Sequence, residues 1–108
     1  MKNRATNALI EMWVPANIKG FRYIVDAMCL FEDEEYRDGK TTVLYWEIGK
    51  MHGVRAQNVE RAIRHAFGIA LNKGHLSAIQ KYLSFDNTTN GSQLHLLYIR
   101  LKQEMEEE

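Results

Sequence analysis

Two stretches of the sequence carry the apolar spacing of amphipathic helices most clearly. Apolar residues three or four positions apart fall on one side of an α-helix. In the first stretch the residues at this spacing are Phe21, Ile24, Val25, Met28 and Phe31. The second stretch runs from Arg55 to Gly74, and its apolar side consists of Val59, Ala62, Ile63, Ala66, Ile69 and Ala70. Its opposite side consists of Gln57, Asn58, Arg61, Arg64, His65 and Gly68. The pattern predicts a helix that packs its small residues on a core and leaves its polar side for a partner.

Shorter helical patterns account for most of the remaining chain. They predict helices over residues 3–13, 43 to about 51, 76–83 and 93 to about 105. In the first of these Leu9, Ile10 and Trp13 share a side, and in the second Val43, Leu44 and Ile48 are expected to be buried. No stretch alternates with period two for long enough to make a strand. The sequence therefore predicts an all-α fold of about six helices, forming a single domain over residues 1–108.

The signals around Gly53 indicate how two of these helices are joined. Thr41 or Thr42 can cap the helix predicted over residues 43 to about 51 through its hydroxyl oxygen. Gly53 can adopt the left-handed conformation that ends this helix. Only a few residues then separate Gly53 from the helix predicted over about residues 56–73. Two helices joined by such a short turn, the second with a basic side, are typical of a helix-turn-helix motif, here about residues 43–73.

The charge distribution supports a partner for this motif. The formal net charge is zero. Acidic residues, however, cluster at residues 32–38 and at the C-terminal end, while residues 40–73 contain six Lys or Arg against two Glu. A phosphate backbone interacts with the local patch and not with the sum over the molecule. A DNA major groove admits one helix and presents base edges that Arg and Asn can recognise, so duplex DNA is the partner that fits best.

Several other classes of protein are excluded by what the sequence lacks. A lone cysteine, Cys29, cannot form an internal disulfide, and no metal-ligand spacing is present. There is no nucleophile elbow, no glycine-rich phosphate loop and no paired carboxylates, so we expect neither an enzyme nor a cofactor. No apolar run is long enough to span a membrane and no signal peptide is evident, which predicts a cytoplasmic protein.

Three segments of the chain resemble a known family. They are Val14-Pro15-Ala16 followed by Ile18-Lys19-Gly20, Val43-Leu44-Tyr45 followed by Glu47-Ile48, and the segment VERAIRHA at residues 59–66. In order and spacing these segments resemble the C-terminal DNA-binding effector domain of the stage-zero sporulation protein A family. The likeness extends from about Ile10 to Phe85.

This resemblance implies a fold, a function and roles for particular residues. It implies a six-helix fold whose recognition helix enters the major groove at short boxes upstream of promoters, often as tandem copies. By position, Glu60 and Arg61 match base-reading residues, and Arg64 and His65 match residues on or near the phosphate backbone. The candidate DNA-binding residues are then Lys50, Arg55, Gln57, Asn58, Glu60, Arg61, Arg64 and His65.

The sequence also departs from the family at several positions. Asn58 stands where the family has a base-reading arginine, and Asn favours adenine whereas Arg favours guanine. Arg55-Ala56 replaces a threonine-proline start to the recognition helix, which removes a cap worth about 1 kcal/mol. The family's phosphorylatable receiver domain is not among these 108 residues, so we expect either an excised domain or a stand-alone relative.

Two alternatives to DNA reading remain open from the sequence. Glu60 and Arg64 are spaced to form a weak ion pair on a solvated helix surface. The chain could also be a protein-interaction module that binds an RNA polymerase sigma factor or a full-length regulator without binding DNA. The resemblance places the polymerase contact at residues 75–83, although few residues there match the family.

Overall fold

The computed structural model describes residues 1–107 and contains seven helices in that part of the chain, with no strand among them. The helices are α1 (Lys2–Glu11), α2 (Lys19–Leu30), α3 (Glu34–Asp38), α4 (Thr41–His52), α5 (Ala56–Lys73), α6 (Leu76–Tyr82) and α7 (Asn90–Glu106). The all-α prediction is confirmed. No helix in residues 1–107 combines the length and the apolar character that crossing a bilayer requires.

Helix α2 lies at the centre of the hydrophobic core. The five apolar residues that predict its inward side are all buried. They are Phe21, Ile24, Val25, Met28 and Phe31. The helix packs against α1, α4, α5 and α7. A helix surrounded in this way must be apolar around much of its circumference, and Tyr23 and Ala27 are buried as well.

Two helices approach each other very closely at Gly20, near the start of α2. A side-chain carbon added at Gly20 would lie 2.1 Å from the backbone oxygen of Ala62 and 2.8 Å from Cβ of Ala66, both on α5. These distances are far inside van der Waals contact. The absence of a side chain at residue 20 therefore allows α2 to lie directly against the small residues on the back of α5.

Helix α7 closes the other side of the core through both polar and apolar contacts. The side chain of Gln93 is fully buried, accepts a hydrogen bond from Ser84 N at 2.9 Å and donates one to Ser84 O at 2.6 Å. The hydroxyl of Tyr98 donates to the Glu32 carboxylate at 2.7 Å, and this hydrogen bond, together with Lys102, lowers the pKa of Glu32. Each buried polar group is thus paired, as burial requires.

The structure corrects several predicted helix boundaries. The acidic segment after α2 forms an additional short helix, α3, because Asp33 caps it by accepting from Glu35 N. Helix α4 begins at Thr41 and follows Lys40 without a side-chain cap, so the predicted threonine cap is wrong. Helix α7 starts three residues earlier than predicted, at Asn90, because Thr89 accepts from Ser92 N.

Three side chains on the predicted apolar sides of helices are exposed. The exposed fraction is 54% for Ile10, 61% for Trp13 and 50% for Val43. Trp13 follows the end of α1 with a φ of +66°, a left-handed conformation that is uncommon for a bulky residue. Its ring lies against His75, with the ring centroids 5.0 Å apart. The predicted apolar sides are thus wider than the sides that the fold buries.

The contact at Gly20 leads to a stability prediction. We expect Gly20→Ala to destabilise the fold by about 1–3 kcal/mol, because the added methyl group overlaps the Ala62 carbonyl and forces the helices apart. The matched control is Gly68→Ala in the middle of α5, where an added Cβ meets nothing within 4 Å. Since alanine is the better helix former, Gly68→Ala should stabilise the fold by up to about 1 kcal/mol. Urea unfolding of the two variants measures both changes, and equal effects would contradict the proposed close approach.

Candidate nucleic-acid interface

A turn of three residues, Gly53 to Arg55, joins α4 to α5. Gly53 has a φ of +68° and ends α4 in the left-handed conformation, as predicted. Val54 N donates to Gly49 O at 2.9 Å and closes the turn. Helix α5 then begins without a side-chain cap, because Arg55 occupies the capping position. The two helices form a helix-turn-helix at residues 41–73, two residues longer than predicted.

The inward side of α5 matches its predicted apolar side closely. The fully or almost fully buried residues on this helix are Val59, Ile63, Ala66, Phe67 and Ala70. The burial of Phe67 corrects the prediction. Its position lies at the margin of the apolar stripe, and the predicted apolar side does not include it. Ala62 and Ile69 are only partly buried. The helix is therefore held along its length by one continuous side.

The outward side of α5 carries most of the candidate DNA-binding residues. Exposed side chains on this helix include Gln57, Asn58, Arg61, Arg64 and His65. Glu60 lies at the edge of this group and is partly buried. The group combines amide, guanidinium, imidazole and carboxylate side chains on about three turns of one helix, which can both donate hydrogen bonds to an external partner and accept them.

Arg61 differs from the other arginine of this side in having a free side chain. Among residues 1–107 its guanidinium makes no hydrogen bond or ion pair. A guanidinium presents five donors in a planar fork that matches two acceptors side by side. Arg61 is therefore available for bidentate contact with a ligand without first breaking an internal contact.

Arg64 is engaged with Glu60 one turn away. Its guanidinium donates to the Glu60 carboxylate, so the ion pair that the sequence allowed is present. The Arg64 side chain is largely exposed, and exposed pairs of this kind contribute little to stability. The effect of the Arg64–Glu60 pair is to orient the Glu60 carboxylate along the helix and to compensate its charge.

Arg55 and Lys50 lie outside the row of residues on α5. Arg55 is exposed at the position just before the helix. Lys50 lies on α4, where its ammonium is 3.3 Å from the Glu47 carboxylate and 4.3 Å from the ring centroid of Trp46. Trp46 itself is 57% exposed, so it does not belong to the core. The predicted basic patch is thus divided between two helices.

The structure brings one further segment to this surface that the sequence analysis missed. Asn90, the first residue of α7, donates from Nδ2 to the backbone oxygen of Glu60 at 2.9 Å. Together with α4 and α5 it encloses a cleft of about 620 Å³. The sequence predicts no helix for residues 84–92, which lie between the last two predicted helices. Nothing in the local pattern reports a contact with a residue thirty positions earlier.

Tyr45 forms part of the wall of this cleft. Burial raises the pKa of its phenol, while hydrogen bonds with Asn90 and Thr41 and the charge of Arg64 oppose that rise. The phenol is therefore neutral at physiological pH. Asn90 and Thr41, near the starts of α7 and α4, therefore lie close to this hydroxyl.

Other clusters of polar side chains serve the fold. His52 Nε2 lies 2.6 Å from the Asp26 carboxylate and joins α4 to α2. The two ring nitrogens of His95 lie 2.8 and 2.9 Å from the carbonyl oxygens of Gly91 and Arg37. Within residues 1–107, no three His, Cys, Asp or Glu side chains come together in a group that could hold a metal ion.

An all-helical fold with a helix-turn-helix, whose second helix is buried on one side and polar and basic on the other, is the architecture of a DNA-binding domain of transcription regulators. Comparison with known protein families matches residues 5–101 of the 108 to the family described as "Sporulation initiation factor Spo0A C terminal". The chain belongs to this family. It is a DNA-binding effector domain of the sporulation-initiation type, and the family is one of transcription factor domains and not of enzymes.

Proposed function

We propose that α5 is the recognition helix and that it binds DNA sequence-specifically by inserting its outward side into the major groove. In this arrangement Arg61 donates to O6 and N7 of a guanine, and Glu60 accepts from the amino group of a cytosine. Asn58 pairs with N6 and N7 of an adenine and so changes the box that the family prefers. The observation that carries the proposal is the exposed Arg61, whose guanidinium has no internal partner among the described residues.

The remaining polar residues contact the DNA backbone in this proposal. Arg64, His65, Arg55 and Lys50 bind phosphates and release counterions, and Gln57 lies beside them on the first turn of α5. Phosphate contacts set the position of the helix but carry no sequence information. The division into base-reading and phosphate-binding residues is what the experiments below separate.

The ion pair between Glu60 and Arg64 is compatible with this role. A lone carboxylate would be repelled by the phosphates on either side of the groove. Because Arg64 lies one turn away and pairs with Glu60, it compensates that charge while leaving carboxylate lone pairs free to accept from a base. The pair can therefore persist in the complex.

Replacing Arg61 tests base reading. We expect Arg61→Ala to weaken binding to the preferred box by about 1–3 kcal/mol and to relax the choice of base at one position. The preferred box is obtained by selecting bound fragments from random duplex DNA, and gel shifts over single-base variants of that box give the change. Arg100→Ala is a matched control, because Arg100 is an exposed arginine on α7 whose only described side-chain contact is with Gln103. Equal losses on every sequence for Arg61→Ala would contradict base reading.

Replacing Arg64 tests phosphate binding. We expect Arg64→Ala to weaken all sequences alike and to lower the salt slope of log K by about one, because one phosphate contact is lost. The substitution also leaves the Glu60 carboxylate without its partner. The same measurement is therefore repeated in a Glu60→Gln background, where the change in slope should persist. A loss confined to the preferred box would instead assign Arg64 to base reading.

A second function is favoured by exposed apolar side chains at the start of α6 and in the turn after α1. Leu76 is 60% exposed, and Trp13 lies against its neighbour His75. Exposed apolar groups that lie together are typical of protein-binding surfaces. We propose that residues 75–83 contact a protein partner, for which the family resemblance points to an RNA polymerase sigma factor.

Paired substitutions distinguish a DNA-binding regulator from a pure protein-interaction module. If the chain acts through DNA, Arg61→Ala should reduce promoter regulation, and Leu76→Ala should leave DNA affinity unchanged. If it acts without DNA, Leu76→Ala should be the more damaging change and the wild-type chain should show no salt-sensitive DNA affinity. Gel shifts and a promoter reporter, run on both variants, measure the two effects.

A further inference from the structure

The cleft beside the proposed recognition helix is assembled from three separate parts of the chain. It lies among the start of α4, the middle of α5 and the loop leading into α7, and has a volume of about 620 Å³. The hydrogen bond from Asn90 to the Glu60 backbone fixes the start of α7 on α5. Gly91 packs on α4 so closely that a side-chain carbon there would lie 3.3 Å from Thr41 Cγ2. Both contacts hold the walls in place, so the cleft is a built feature of the fold.

Most polar groups that line the cleft already have partners within the protein. Asn90 donates to the Glu60 backbone oxygen, and Thr41 lies close enough to the Tyr45 hydroxyl to lower the pKa of that phenol. The Thr89 hydroxyl donates to Asn87 at 3.1 Å while accepting from Ser92 N. Glu60 and Arg64 pair with each other. These groups shape the cleft. Two further threonines in its lining, Thr42 and Thr88, are not among them.

Thr42 and Thr88 are the hydroxyl groups that remain available. Both are exposed and both line the cleft. Neither side chain makes a hydrogen bond with any residue in the range 1–107. Thr42 does not cap α4, and Thr88 precedes the residue that caps α7. The cleft therefore presents two uncharged donors, on two different elements, next to Arg64.

We propose that this cleft binds the DNA phosphate backbone through the hydroxyls of Thr42 and Thr88, an inference that rests on the proposed function of α5. In helix-turn-helix complexes the first helix of the motif crosses the backbone while the second lies in the groove. Thr42 is on that first helix, and the cleft lies on the side of α5 that carries Arg64. Threonine hydroxyls are common donors to phosphate oxygens.

The proposed contact has a signature that separates it from the charged contacts. The salt dependence of DNA binding arises from counterions that Lys and Arg displace from phosphates. A neutral hydroxyl donates a hydrogen bond without displacing a counterion. Losing the threonine contacts should therefore weaken binding at every salt concentration by the same factor, whereas losing Arg64 should change the slope.

The test uses the box selected by the wild-type chain and an unrelated duplex as the two DNA probes. We expect Thr42→Val and Thr88→Val each to weaken binding about two- to tenfold on both probes, because each removes one hydrogen bond and keeps the shape of the side chain. The double variant should show a larger loss with an unchanged salt slope. The double variant Thr42→Ser with Thr88→Ser keeps both hydroxyls and should bind both probes as the wild-type chain does.

A matched control and a second variant guard against a loss of folding. Thr6→Val on α1 removes a hydroxyl that donates to Lys2 O at 2.8 Å, and it should leave DNA affinity unchanged. Thr88→Glu changes a loop residue only, and we expect it to weaken binding at least about tenfold at low salt because it repels phosphate. Thermal unfolding monitored by circular dichroism confirms that each variant is folded.

Three results would overturn the inference. They are wild-type affinity in the double valine variant, a reduced salt slope in that variant, and a loss seen only with the selected box. If the wild-type chain binds neither probe, the proposed function of α5 fails and this inference fails with it. If Arg61→Ala relaxes base choice while Thr42→Val, Thr88→Val and Thr88→Glu all bind normally, only the inference about the cleft fails.

Discussion

The contact between Gly20 on α2 and the backbone of Ala62 on α5 is the constraint on which the rest of the structure depends. It requires a residue without a side chain on one helix and small residues on the other, and it brings the two backbones together at the middle of the proposed recognition helix. Helix α5 is buried along one side by this contact and by Val59 and Ile63. Its opposite side is exposed as a consequence, because a helix held so closely from behind has little freedom to rotate.

The outward side of α5 derives its properties from how its charges are paired. Arg61 has no partner among the described residues, whereas Arg64 and Glu60 hold each other. A free guanidinium next to a compensated carboxylate gives one group able to donate and one able to accept, which suits the mixed pattern of base edges in the major groove. The zero net charge of the chain is no obstacle to this, since acidic residues are concentrated elsewhere, at residues 32–38 and at the C-terminal end.

Helix α7 supports the proposed interface from a distance along the chain. The hydrogen bond of Asn90 to the Glu60 backbone and the buried side chain of Gln93 fix the beginning of α7 against the helix-turn-helix. Further along, Tyr98 and Lys102 hold the acidic segment after α2 through Glu32. A motif of two helices cannot bury its own apolar surface, so its precise shape depends on such neighbours.

The sequence by itself determined the all-α class, the inward sides of α2 and α5, the left-handed turn at Gly53 and the family, because each depends on local spacing or on a contiguous segment such as residues 59–66. Only the tertiary structure decided that Trp13, Ile10 and Val43 are exposed and that Phe67 is buried. Helical periodicity identifies a stripe, but the neighbouring helices decide how wide the covered stripe is. The cleft beside α5 could not be predicted for a related reason. It exists because residues 41–42, 60–64 and 88–91 meet in space, and the contact that closes it, from Asn90 to Glu60, leaves no trace in the pattern of either segment.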